Sequence, residues 1–288
     1  MALLLVCLRI ACNAWLNVLQ KRALQHFSTS LLVAATFVLL AALTAPFLFF
    51  YSFTELPAAF WWNMLLVVAF DIPGNFFLVK SVGLADLSLI GPLNAYKPVV
   101  ALLLGTLFLD ETPSMQGRLG VAITLGGSLL LAAKPGSALS KQTKAVEQTH
   151  GEWYRLLALL CTASASIFLK AAINASSAWH TFIAWAMLGA LPAATLFFVR
   201  RAQGRTAMRN VRGHGRELVL MAVLFLMMQL FTLQAFALMP VAYVLALFQL
   251  SGLVNVWLGW KIFNEKNILR RAVASVVMIA GAVLLLVK

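Results

Sequence analysis

Residues 105–111 read Gly-Thr-Leu-Phe-Leu-Asp-Glu, and residues 259–265, 154 positions later, read Gly-Trp-Lys-Ile-Phe-Asn-Glu. At the same offset Gly127 meets Gly281, and Leu130-Leu131 meets Leu284-Leu285. Leucine matches count for little in so apolar a chain, so the Gly and Glu identities carry the comparison. A shift of 149 sets Asn13, Asn17 and Lys21 on Thr162, Ser166 and Lys170. The longer basic stretch after residue 199 absorbs the difference between the two offsets. The chain reads as an internal repeat.

What kind of repeat follows from composition. Of 288 residues, 62% are apolar and 11% charged, with a mean hydropathy of +0.91. A soluble domain has roughly half its residues apolar and about a quarter charged, so a soluble enzyme, a secreted module and a disordered chain are excluded. A helix crossing the hydrocarbon core needs about 20 apolar residues. Ten such runs are predicted, at 3–20, 31–50, 58–79, 87–109, 115–133, 155–173, 179–199, 217–237, 240–262 and 270–287. Continuous runs such as Leu125–Ala133 argue against the alternating pattern of barrel strands. The expected class is an all-α integral membrane protein.

The net charge of +13 reports orientation and not a nucleic-acid partner. Seventeen of the 22 basic residues fall in loops on one side, which the positive-inside rule makes cytoplasmic. Those loops include 134–153, between spans 5 and 6, whose basic set is Lys134, Lys141, Lys144 and Arg155, and 200–217, between spans 7 and 8. Both termini are then outside. Five spans per repeat is an odd number, so the second repeat inserts upside down. Accordingly the loop around Glu111 has Arg118 as its only basic residue, while that around Glu265 carries Lys261, Lys266, Arg270 and Arg271. The expected organisation is a first repeat over 3–134, a cytoplasmic linker over 135–153 and an inverted second repeat over 154–288. Inverted repeats about a mid-membrane axis characterise secondary transporters.

The stretch Gly83-Leu-Ala-Asp-Leu-Ser-Leu-Ile-Gly-Pro-Leu-Asn-Ala-Tyr-Lys-Pro-Val-Val, with Gly105 to Glu111 and Gly117-Arg-Leu-Gly120, resembles the EamA domain of the drug/metabolite transporter superfamily. Its second copy runs from Leu238-Met-Pro-Val-Ala-Tyr to Glu265 and Gly281. The resemblance covers nearly the whole chain as two EamA-like units. It implies a ten-helix basket around a central cavity lined by helices 1, 3, 4, 6, 8 and 9, without specifying a cargo.

Polar groups at membrane depth usually face the bundle interior or a water-filled cavity. Helix 1 sets Arg9, Asn13 and Asn17 at i, i+4 spacing, and helix 6 answers with Thr162, Ser166 and Lys170. Helix 3 carries Asn63, Asp71 and Asn75, and Asn75 aligns with Gln229 of helix 8. Any one Asn, Ser or Thr is as well explained by helix–helix hydrogen bonding; paired stripes in both halves point to a shared cavity. Lys97 is expected near the midplane, between Tyr96 and Pro98, with Pro98 weakening the ladder near Asn94. Asp71 is expected at similar depth, making an Asp71–Lys97 ion pair reasonable. Lys97 would then bind an anionic group of the substrate, and Asp71 would neutralise it in the empty state or carry a coupling proton. Arg9 supplies a second cation or reaches the outer interface.

The Tyr-Lys-Pro wording is similar to the triose-phosphate and nucleotide-sugar branch, which uses buried basic residues for phosphorylated cargo. Here Lys97 has Ser251 as its counterpart, so the second half offers no matching deep cation, and a carboxylate or zwitterion suits the site as well. Tyr96, Phe248 and Trp257 are expected deep enough to stack on a ring or cage an amine. Trp15, Trp61, Trp62, Trp179, Trp185, Tyr243 and Trp260 include several that read as interfacial belts.

Glu111 and Glu265, with Gly105, Gly259 and Pro98, read as structural motif residues, the carboxylates suiting the N-termini of helices 5 and 10. Ala122 and Gly126 form a small-residue face for close packing or a homodimer. Cys7, Cys12 and Cys161 lie in spans, and the histidines form no metal pattern, so no metal or cofactor is expected. The combined expectation is a non-enzymatic exporter or exchanger of an amino acid or organic anion in a bacterial-type inner membrane, working by alternating access. The rivals are a carrier of phosphorylated or nucleotide-linked sugar, a lipid flippase on the same fold, and an intramembrane enzyme. The last lacks an acid/base or metal constellation.

Overall fold

The computed structural model describes residues 1–84, 96–111, 114–132, 142–199, 214–251, 254, 273, 276–281 and 283–284. Nine helices follow in chain order: α1 (Ala2–Ala23), α2 (Thr29–Thr44), α3 (Ala58–Leu84), α4 (Lys97–Phe108), α5 (Met115–Ala132), α6 (Gln142–Ala175), α7 (Ala178–Val199), α8 (Gly215–Leu238) and α9 (Val241–Phe248). A 3-10 turn, Ala45–Phe49, continues α2, and residues 276–281 are helical.

Ala2–Ala23, Thr29–Phe49, Ala58–Ser81, Trp153–Ala175 and Gly215–Leu238 are each long and apolar enough to cross a membrane. Their outer faces fit that solvent. Leu4, Trp62, Leu65, Leu103, Leu107 and Leu191 are exposed, and in water so broad an apolar surface would aggregate.

Two expectations change. The stretch 135–153, read as a linker, is helical from Gln142 onward and runs unbroken into α6. A search for apolar runs passes over Gln-Thr-Lys-Ala-Val-Glu-Gln, yet most of these residues are good helix formers. Pro98 lies in the first turn of α4, with Tyr96 at the N-cap. A missing N–H costs nothing in a first turn, so Pro98 does not break an interior ladder as expected. The Pro within a helix near the polar cluster is Pro73 of α3, which denies the carbonyl of Ala69 its ladder partner.

The helices pair across the chain. α3 packs along α6, α1 along α8, α2 along α7, and α4 against both α9 and α6; α2 also meets α8, and α3 meets α7. Small residues permit the closest approaches. A Cβ on Gly74 would stand 2.7 Å from Thr162 Cγ2 and 3.1 Å from Cys161 Cβ, where α3 crosses α6. One on Gly281 would meet Thr124 Oγ1, and the Thr124 backbone nitrogen at 2.6 Å. The core holds Phe37, Phe60, Phe182, Trp185 and Phe236, none more than 1% exposed.

Candidate functional site

Asp71 sits halfway along α3, two residues before Pro73. The ladder bond that Pro73 cannot make therefore falls within a turn of the acidic group, inside a helix that continues on both sides. Its Oδ2 accepts from Trp185 Nε1 at 2.8 Å. Trp185 is 1% exposed and held by Phe37 at 5.7 Å and Phe225 at 5.5 Å, so the indole is fixed toward the carboxylate. Asn75 Nδ2 donates to the Asp71 backbone carbonyl at 2.9 Å. Trp185 is thus a buried donor and no interfacial belt residue.

Lys97 opens α4, whose far end lies about 16 Å away at about 1.5 Å per residue. Its charged neighbours are Arg9, Asp71 and Arg155. The expected Asp71–Lys97 ion pair does not close: the carboxylate bonds to the indole instead, and Lys97 makes no hydrogen bond or ion pair with any described residue. Arg9 lays its guanidinium over the Phe248 ring, 3.9 Å from the centroid, while its buried Nε has no partner. Phe248 therefore holds a cation of the protein, and its outer ring face is not free to cage an amine. Arg155, read from sequence as a loop cation, is buried at 7% exposure. Its place two residues inside the span hid it among the positive-inside residues.

The stripes resolve unequally. Asn13 and Asn17 are half-buried and their amides bond to no described residue. Ser166 turns back on the Thr162 carbonyl at 2.7 Å and is satisfied within its own helix. Gln229 is buried and Tyr96 is 48% exposed; Ser251 is half-buried, just past α9. Asn94, Gly259 and Glu265 lie outside the described residues. Lys170 is not a free ligand: its ammonium donates to the Phe236 carbonyl in the last turn of α8.

The motif Gly105 to Glu111 builds a second, peripheral junction. α4 ends as the N–H groups of Leu109 and Glu111 both return to the Gly105 carbonyl, at 3.0 and 3.2 Å. Asp110 takes the left-handed conformation, φ 51°, which Asp tolerates better than most residues. The reversal carries Glu111 away from α5, whose first turn is capped by Ser114 Oγ accepting from Gly117 N at 3.1 Å. Glu111 Oε2 accepts instead from Val241 N at 3.2 Å. The carboxylate serves a helix N-terminus, but that of α9 and not of its own following helix. Burial pushes the Glu111 carboxyl above its ordinary range, while the Val241 N–H and the nearby Lys170 charge pull it back. Among the described residues no three His, Cys, Asp or Glu side chains gather into a metal site.

Comparison with known proteins agrees with this architecture. A solved crystal structure of a protein superposes with a TM-score of 0.63 at 14% identity, over 97% of this chain and 98% of that one; at that identity the likeness is one of fold. No curated protein matches. Residues 1–133 match the model of the EamA-like transporter family. That match covers a little under half of the chain and makes residues 1–133 similar to that family; with five helices among the described residues long and apolar enough to cross a membrane, it supports an integral membrane protein.

Proposed function

We propose that this chain is a secondary transporter, an exporter or exchanger, for a small polar metabolite bearing an anionic group, an amino acid or an organic anion. The observation that carries the reading is the pair of deep cations, Arg9 and Lys97, neither bonded to a carboxylate among the described residues, beside an Asp71 already engaged by Trp185. Uncompensated charge at this depth is costly, and an anionic cargo would offset it. The amides of Asn13 and Asn17, which bond to no described residue, extend the same face of α1 toward the cargo's polar groups. Asp71, two residues before Pro73, is the candidate for a coupling proton.

Alternating access would come from two inverted repeats, 3–134 and 154–288, rocking about this site. The packing supports that symmetry: exchanging the halves turns the α3–α6 contact into α8–α1 and the α2–α8 contact into α7–α3. The membrane is a bacterial inner membrane, with both termini outside and the 5–6 and 7–8 loops cytoplasmic. A phosphorylated cargo is the second reading, favoured by the presence of Arg9 beside Lys97, since two cations suit a phosphate. Full-length protein in liposomes, offered labelled glutamate, malate and glycerol 3-phosphate in turn, tests both. Uptake of a carboxylate supports the first reading, uptake of the phosphate alone supports the second, and chemical alteration of any probe would overturn both.

A further inference from the structure

Helix α9 has no cap of its own. Pro240 fills the N-cap position without a side-chain acceptor, and Val241, Ala242 and Val244–Phe248 are buried, so water cannot readily replace a lost partner for the first amides. Glu111, 130 residues away, supplies that partner. Its reach is set by the reversal at Asp110 and by Gly105, where a Cβ would come within 3.3 Å of Glu111 Oε2. On the other side of the α8–α9 joint, Lys170 holds the Phe236 carbonyl. The joint is thus gripped from α4 and α6 together. At the opposite end of α9 lies Phe248, the ring on which Arg9 rests, about 10 Å from Val241 at about 1.5 Å per residue.

We propose that Glu111 is a positioning residue for the central site: by fixing the start of α9 it sets where Phe248 meets Arg9. The consequence for transport rests on that site being the transport site. The role asks for an acceptor oxygen at the right reach and not for a charge. Gln therefore suffices, whereas Asp falls short and Ala offers nothing.

The test compares wild type with Glu111→Gln, Glu111→Asp and Glu111→Ala, all full-length in lipid, by two readouts. Hydrogen–deuterium exchange over 241–250 should accelerate in the Asp and Ala variants by about tenfold, the order of a lost helix cap, and extend through Phe248, with Gln close to wild type. Transport of whichever of glutamate, malate or glycerol 3-phosphate the wild type moves should show KM raised about fivefold or more in Asp and Ala. Vmax should stay within about twofold, since ground-state binding is what is lost. Unchanged exchange in Glu111→Ala would overturn the proposal, as would faster exchange that stops short of Phe248 or leaves KM untouched. Activity kept by Asp and lost by Gln would also overturn it, because it would mean that the charge matters. If the wild type moves none of the probes, the transport reading fails, and the exchange data through Phe248 still decide the positioning claim.

Discussion

Replacing Trp185 by Phe removes one N–H and part of one ring, and the two losses can be separated. The indole donates to Asp71 Oδ2 at 2.8 Å from a side chain 1% exposed. Hydrogen bonds to charged groups contribute about 1.5–3 kcal/mol in water-soluble proteins. Couplings measured between membrane helices average about 0.6 kcal/mol and reach about 1.7. A short bond to a carboxylate in a sealed site belongs at the upper end, at about 1–2 kcal/mol. The lost ring leaves a void beside Phe37 and Phe225 that costs a further ~1–3 kcal/mol. A double-mutant cycle with Asp71→Leu cancels the void and isolates the bond. Unfolding by graded SDS in mixed micelles, followed by circular dichroism, gives the four stabilities. A coupling of about 1–2 kcal/mol is expected. A coupling below about 0.3 kcal/mol would show that the indole does not hold Asp71, and Asp71 would then be available to Lys97 after all.

Three further outcomes follow from particular contacts. Gly281→Ala should lower stability by about 1–3 kcal/mol through overpacking, because its Cβ lands on Thr124 backbone; Gly126→Ala, with open space around it, should be neutral or stabilising in the same unfolding assay. Arg9→Lys should weaken binding of an anionic probe by roughly tenfold, since the stacked fork over Phe248 is not reproduced by an ammonium. The Glu111 carboxyl is raised by burial, so its folded form favours the proton: that contribution is complete below the ordinary Glu value and lost as pH rises through the folded one. Wild type should therefore lose stability relative to Glu111→Gln as pH rises above the ordinary Glu range, a slope that thermal melts across buffers will read; a flat difference would refute it.

Which polar residues stand within apolar runs was legible in the sequence. Arg9, Asp71 and Lys97 stand out in such runs without any structure. Their partners were not legible. The Trp185–Asp71 bond spans 114 residues and the Glu111–Val241 bond 130, and spacing along one helix says nothing of which face of a distant helix is met. Trp185 was grouped with aromatics of which several read as interfacial, with nothing to single it out, and Arg155 read as a loop cation because the window boundary fell on it. Glu111 was read as suiting the N-terminus of the helix that follows it, and it serves the start of α9 instead. The left-handed turn at Asp110, which decides which helix, has no apolar signature.

The most direct test is counterflow in liposomes of wild type, Arg9→Gln and Lys97→Gln, with labelled glutamate, malate and glycerol 3-phosphate set against labelled choline. The account predicts that wild type exchanges at least one anion and not choline. It also predicts that each variant, with its melting temperature unchanged, loses that exchange by roughly tenfold to a hundredfold, the worth of one charged contact. Undiminished anion exchange in both variants, or selective exchange of choline, would contradict it.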